Sequence, residues 1–296
     1  GVTNTAIGSQ AMENSTEGNS NTAVGYLALY SNTTGSTNTS VGDNSSVSNT
    51  TGSDNTAVGA HALDANIGGS ENVAIGRHAM TDNTTGNSNV AIGHQALDDN
   101  TTASGNVAIG NHACMNNHDG TNLVAVGDSA LENLGTSSSN NTAVGAHAMQ
   151  DTTGSEYCVA VGSGALENNT TGSYNTAVGH VALQNTTTGT ENAAVGSATL
   201  DANTTGNCNT GMGMNALTAC TTGSHNTGIG REALKNVTTN SYNTAVGSES
   251  LKLNTAANNS AFGYFALQQN TTGVNNAAFG YGTLTQNTTA DSNTAF

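Results

Sequence analysis

Apolar residues keep phase along this chain. A Val or Ile stands directly before a glycine, and a Thr or Val stands two residues before that, in nearly every stretch of seventeen residues. The glycines fall at Gly8, Gly25, Gly42, Gly59, Gly76, Gly93, Gly110, Gly127, Gly145, Gly162, Gly179, Gly196, Gly213, Gly230, Gly247, Gly263 and Gly280. Their spacing is 17 apart from one 18 (Gly127 to Gly145) and one 16 (Gly247 to Gly263). With the glycine as position 0, a turn reads Asn-Thr-Ala-Val-Gly, two variable residues, Ala-Leu, two more, then Asn-Thr-Thr-Gly-Ser and one last variable residue. A strict period of this length is the signature of a repeat architecture.

Within the turn, positions −3 and −1 share one face of a strand, because side chains alternate with period two. Leu or a substitute follows at +4 (Met12, Leu29, Leu63, Met80, Leu97). The pattern predicts two short strands per turn, separated by a glycine corner and closed by a polar Asn-Thr-Thr-Gly loop. Glycine twice in each turn and the absence of a 3.6 period argue against helix. The expected fold class is all-β: a parallel β-roll or β-solenoid of about 17 residues per turn, one continuous array of about 17 turns over 1–296, excerpted from a longer chain.

A single turn cannot fold, since ordering each backbone residue costs about 1–2 kcal/mol while a buried aliphatic returns only about 1.5–3 kcal/mol. Stacking makes columns of Val/Ile and Leu continuous. At about 4.8 Å per turn, the array would form a rod of roughly 80 Å. Alanine occupies the other face at Ala23, Ala57, Ala74 and Ala91, and again at Ala28, Ala62, Ala79 and Ala96. So constant a small residue signals close backbone approach, either from another chain or across a tight corner of the same one.

Composition narrows the partners. Of 296 residues only 8% are charged, giving net −16 with Arg77, Arg231, Lys235 and Lys252 as the sole basic side chains. Nucleic acid needs a cationic footprint, and an anionic membrane repels this surface, so neither is expected as a partner. No apolar run approaches the ~20 residues of a membrane span. The cysteines Cys114, Cys158, Cys208 and Cys220 occupy different phases and read as free thiols.

The phrase Asn72-Val73-Ala74-Ile75-Gly76, repeated at 89–93 and 106–110, resembles the head repeat of trimeric autotransporter adhesins. The fuller turn, from Asn21 to Ser36, is similar to repeats of phage-type tail fibre proteins. That resemblance implies a left-handed roll, a trimer, an extracellular location on a virion or cell surface, and binding to a cell-surface glycan or protein receptor. Adhesin head repeats are shorter, lacking the Asn-Thr-Thr-Gly loop.

Candidate sites are few. His61, His78, His112 and His147 share position +2, and read as a polar column or, less simply, as metal ligands without a zinc-like set. Asn32, Asn49, Asn83, Asn100, Asn169, Asn185, Asn203, Asn270 and Asn287 each open an Asn-Thr-Thr triplet, either a glycosylation acceptor or a ladder of stacked amides. Tyr157, Tyr174, Tyr264, Phe265 and Tyr281 are candidate glycan contacts. Carboxylates at +5 (Asp64, Asp98, Glu132, Glu167, Asp201) recur on alternate turns, which keeps like charges apart. No catalytic motif and no cofactor site is seen. The expected function is therefore a structural, non-enzymatic fibre segment presenting an attachment surface, with an ice-binding or self-assembling filament as the alternative.

Overall fold

Each turn contributes one strand of three residues, positions −3 to −1, except the last, which has two. In the computed structural model, which describes residues 1–135 and 138–296, these are β1 (Thr5–Ile7), β2 (Thr22–Val24), β3 (Thr39–Val41), β4 (Thr56–Val58), β5 (Val73–Ile75), β6 (Val90–Ile92), β7 (Val107–Ile109), β8 (Val124–Val126) and β9 (Thr142–Val144). They are followed by β10 (Val159–Val161), β11 (Thr176–Val178), β12 (Ala193–Val195), β13 (Thr210–Met212), β14 (Thr227–Ile229), β15 (Thr244–Val246), β16 (Ser260–Phe262), β17 (Ala277–Phe279) and β18 (Thr294–Ala295). The chain is an all-β, parallel β-solenoid, with no helix among the described residues. It divides into two compact units, Gly1–Gly154 and Ser155–Phe296, each a stack of such turns.

Pairing is parallel and in register: Val73 faces Val90, Ala74 faces Ala91 and Ile75 faces Ile92. In the second unit Thr176, Ala177 and Val178 face Ala193, Ala194 and Val195. The 16-residue turn keeps the same phases, with Thr244 opposite Ser260 and Val246 opposite Phe262.

The structure reverses the expected faces of the strand. Alanine at −2 points into the solenoid and is fully buried at Ala23, Ala57, Ala74, Ala91 and Ala108, while Val or Ile at −1 lies outside, half-buried or exposed. A turn this narrow brings opposite walls too close for two branched columns, so the small side chain goes inward. The alanines therefore pack within the chain, and the Val/Ile column expected in the core forms an outer face instead.

The second strand expected at Ala-Leu is also absent. Positions +2 and +4 have positive φ in residues that rarely accept it, such as Leu27 (φ 53), Leu29 (φ 55), His61 (φ 57) and Leu63 (φ 57). A left-handed L-residue costs about 1–2 kcal/mol. The return is a backbone that bonds in both directions along the stack: Leu27 N–H donates to the Ser9 carbonyl of the preceding turn (3.1 Å), and Leu29 N–H to the Ser45 carbonyl of the next (3.0 Å). The alternation of hand turns Ala28 and Leu29, although adjacent, both inward.

The glycine at position 0 is required twice over. At Gly93 φ is +140, and a Cβ would lie 2.2 Å from the Gly110 carbonyl oxygen.

Candidate functional surface

Two columns of asparagine hold the corners of each turn from inside. At −4, Asn21 Nδ2 donates to the Gly35 carbonyl (2.9 Å), and its Oδ1 accepts the Asn38 backbone N–H of the next turn (2.9 Å). At +7, Asn32 Nδ2 donates to the same Gly35 carbonyl (2.9 Å). The +7 amides also bond to one another: Asn49 to Asn32 (2.9 Å), Asn66 to Asn49 (2.7 Å), Asn83 to Asn66 (2.9 Å) and Asn100 to Asn83 (2.8 Å). The threonine after each is tied as well, Thr33 Oγ1 donating to the Thr50 carbonyl at 3.0 Å.

This geometry overturns the glycosylation reading at Asn32, Asn49, Asn83, Asn100, Asn169, Asn203 and Asn270, whose side chains are buried and leave no room for a glycan. Asn185 differs because the sequence there runs one residue out of phase: Thr186 takes the inward slot and Asn185 is exposed. Asn287 is half-buried, its Nδ2 bonded to Asn270 Oδ1 at 3.0 Å.

The remaining candidates lie on the outside. His61 and His78 stack with ring centroids 5.1 Å apart, and His61 Nδ1 lies 2.8 Å from Asp64 Oδ2. His78 has its pKa lowered, by burial first and then by Arg77 and His61. No cluster of three or more metal-ligating side chains occurs among the described residues. Three of the +5 carboxylates meet donors from the following turn: Gln150 Nε2 reaches Glu132 (2.6 Å), Gln184 Nε2 reaches Glu167 (2.6 Å) and Thr218 Oγ1 reaches Asp201 (2.8 Å). Asp64 and Asp98 are met from their own turn instead, by His61 Nδ1 (2.8 Å) and Gln95 Nε2 (3.0 Å). All four cysteines are free, and burial raises the pKa of Cys114 and Cys220, leaving inert thiols.

The five candidate aromatics fall into two groups. Tyr157 and Tyr174 stack at position +12 (5.3 Å), while Tyr264 packs on Phe265 (3.8 Å) and Tyr281 (5.6 Å) at positions +1 and +2.

Beside the second group is a cluster that sequence reasoning missed, although its signal was there: three of the chain's four basic residues lie within 231–252. Lys252 Nζ lies 2.6 Å from Glu232 and 3.0 Å from Glu249. Lys235 Nζ is 3.1 Å from Glu232, Arg231 pairs with Glu249, and Gln268 Nε2 donates to Glu249 at 2.9 Å. Hydrogen bonds from Lys252 and Lys235 push the Glu232 carboxyl down to about 2.

The outer strand face is the most extended feature. On β5 to β8 both outward columns are aliphatic (Val73, Ile75, Val90, Ile92, Val107, Ile109, Val124 and Val126), and elsewhere −3 is more often Thr. In the second unit the −1 column ends in Phe262, Phe279 and Phe296, stacked 5.0 and 5.4 Å apart. No family model matches this chain, and no curated protein matches it. No helix among the described residues is long and apolar enough to cross a membrane.

Proposed function

We propose that this chain is a structural, non-enzymatic repeat segment of an extracellular fibre, of the kind that phage tail fibres and bacterial surface adhesins or filaments use. It associates with copies of itself through the outward strand face and carries an attachment surface for a cell-surface glycan or protein receptor. The observation that carries this reading is the outer column of Val, Ile and Phe, held in register turn after turn. Monomeric proteins rarely expose contiguous apolar patches above a few hundred Å², and a second copy brings the same period and a matching set of columns.

The test is mass in solution together with electron microscopy of the same sample. A closed oligomer of elongated particles is expected, with monomers after Ile75→Lys, Ile92→Lys and Ile109→Lys. A compact monomer of the unaltered chain would sink the reading, and growth without limit would favour a self-assembling filament.

Ice binding has one observation in its favour. Thr22-Ala23-Val24 and its neighbours in β3 and β4 present an outward hydroxyl column beside a methyl column on an in-register parallel face. Thr33 and Thr34 do not contribute such a row, since the Thr33 hydroxyl is spent within the stack. Thermal hysteresis at high protein concentration decides it.

A further inference from the structure

The Arg231 cluster is layered. Glu232 and Glu249 lie beneath with 12% side-chain exposure each, and the cations lie above them: Arg231 at 50%, Lys235 at 33% and Lys252 at 26%. The surface on offer is therefore cationic, and the five residues sum to +1 in a chain of net −16.

The donors are also unevenly spent. Both oxygens of each carboxylate are engaged: Glu232 by Lys235 and Lys252, Glu249 by Arg231, Lys252 and Gln268. A guanidinium carries five N–H donors and an ammonium three, so Arg231 and Lys235 keep capacity for a further acceptor while the acids beneath have little left.

Position in the stack adds the second half of a site. Arg231, Ser248, Tyr264 and Tyr281 all occupy position +1 of successive turns. Their register is fixed by Glu249 N–H to Arg231 O (2.8 Å), Phe265 N–H to Ser248 O (3.2 Å) and Gly282 N–H to Tyr264 O (2.9 Å). A cation, a hydroxyl and a partly exposed aromatic shelf thus follow one another along one line at about 4.8 Å steps. Phe265 and Tyr281 pack against Tyr264 and restrict its ring.

We propose that Arg231, Lys235 and Tyr264 form a binding site for an acidic saccharide, the anionic group on the guanidinium and the sugar ring on the tyrosine. This rests on the attachment role proposed above and names its ligand class. A planar guanidinium meets a carboxylate or sulfate through paired, charge-assisted hydrogen bonds. The aromatic body of a tyrosine supplies apolar area at low entropic cost, with a polar tip for a hydroxyl. The Tyr157–Tyr174 pair is flanked at its own position by Asn140 and Glu191, not by a cation, and is the internal control.

The experiment titrates the full-length chain with trigalacturonate, a sulfated heparin tetrasaccharide and neutral maltotriose, read by calorimetry and saturation-transfer NMR. Arg231→Ser and Tyr264→Ser each install the residue that position +1 already holds at Ser248, so circular dichroism of the variants should match the parent. The expected result is binding of an acidic saccharide but not maltotriose, weakened about tenfold or more in each variant and unchanged in Tyr174→Ser. Binding of trigalacturonate alone, or of the heparin fragment alone, assigns the anion as carboxylate or sulfate. Equal binding of maltotriose, no binding of either acidic saccharide, or binding that survives both substitutions overturns the proposal. An oligomer that ignores acidic saccharides overturns this site alone, whereas a monomer that binds them overturns the fibre reading alone.

Discussion

The unit from Gly1 to Gly154 carries thirteen carboxylates and one arginine (net −12), six of the eight histidines and two of the eleven Tyr and Phe residues. The unit from Ser155 to Phe296 carries seven carboxylates and three cations (net −4), with the other nine aromatics. Their interiors differ as well. From Asn32 to Asn117 the first unit has asparagine at +7 in every turn, and where the run stops, before Leu134, Asn117 Oδ1 turns to accept the Gly120 N–H of its own loop (2.9 Å). In the second unit Thr186, Cys220 and Val237 interrupt the column, and the Oδ1 atoms of Asn169 and Asn203, which face Thr186 and Cys220, are buried without a partner. The frame therefore tolerates gaps in its amide ladder: in the first unit they fall at the two ends of an unbroken run (Ser15, Leu134 and Thr152), and in the second, which carries the aromatic and cationic surface, they fall within the run.

The contrast can be broken or sharpened by substitution. The largest effect is expected from Gly93→Ala, where the new Cβ meets backbone 2.2 Å away at φ +140. It should cost more than about 3 kcal/mol, seen as lost hydrogen-exchange protection in the first unit. Gly164→Ala in the second unit should be nearly neutral, because position +2 accepts non-glycine residues at similar φ in other turns. Next comes Asn83→Ala, which deprives Asn66 Oδ1 and the Asn100 amide of a partner and should cost about 3 kcal/mol, against about 1 kcal/mol for Asn203→Ala. Equal losses in denaturant melts would refute the idea that the unbroken ladder is the stronger one. Thr186→Asn should mend the second ladder by giving Asn169 Oδ1 a donor and by replacing the long 3.5 Å contact from Asn203 Nδ2 to Thr186 Oγ1 with an amide acceptor. A gain of about 1 kcal/mol, read as slower exchange around both residues, is the expected outcome.

The smallest effect is with pH. In the first unit the His78 pKa is lowered, so stability is lost as pH falls through the ordinary 6.5 toward the folded value. Asp82 and Asp99 have theirs raised by burial and Asp98, so further acid returns stability as they protonate. In the second unit the Glu232 contribution is complete above its ordinary 4.5 and is lost only as pH falls toward about 2. Between pH 7 and 5.5 exchange should therefore quicken around His78 and not around Glu232, after correction for intrinsic rates.

Much of this was legible in the sequence. The period, the all-β parallel stack and the site of the strand follow from residues such as Thr22, Val24 and Gly25. Which face is inside did not follow, because −4/−2 (Asn21, Ala23) and −3/−1 (Thr22, Val24) alternate equally well, and the width of the interior decides between them. The missing second strand turns on Leu29 and its equivalents, since nothing in a leucine announces a positive φ. The buried amides were readable only as one of two options, because an Asn-Thr-Thr triplet looks the same pointing in or out. The Arg231 cluster was hidden by the low charge of the whole chain, and emerged only once adjacent turns placed positions 231, 232, 249 and 252 together.

One irregular turn carries a consequence for how such chains change length. Between Gly247 and Gly263 one residue is missing, yet Thr255 N–H still reaches Thr271 O (2.9 Å) and Ser260 still pairs with Thr244. The deletion is absorbed in the short segment from 256 to 258, beyond the threonine ladder and before Asn259, whose backbone N–H still donates to Asn243 Oδ1 (3.1 Å) and whose Nδ2 still donates to the Gly273 carbonyl (2.8 Å). Insertions and deletions arising in that segment are silent to the rungs on either side, whereas a single residue gained beside a position-0 glycine would throw the local columns out of register. Selection can thus edit the loops and leave the ladder alone, and a peptide grafted after Thr255 should be displayed without disturbing the neighbouring turns.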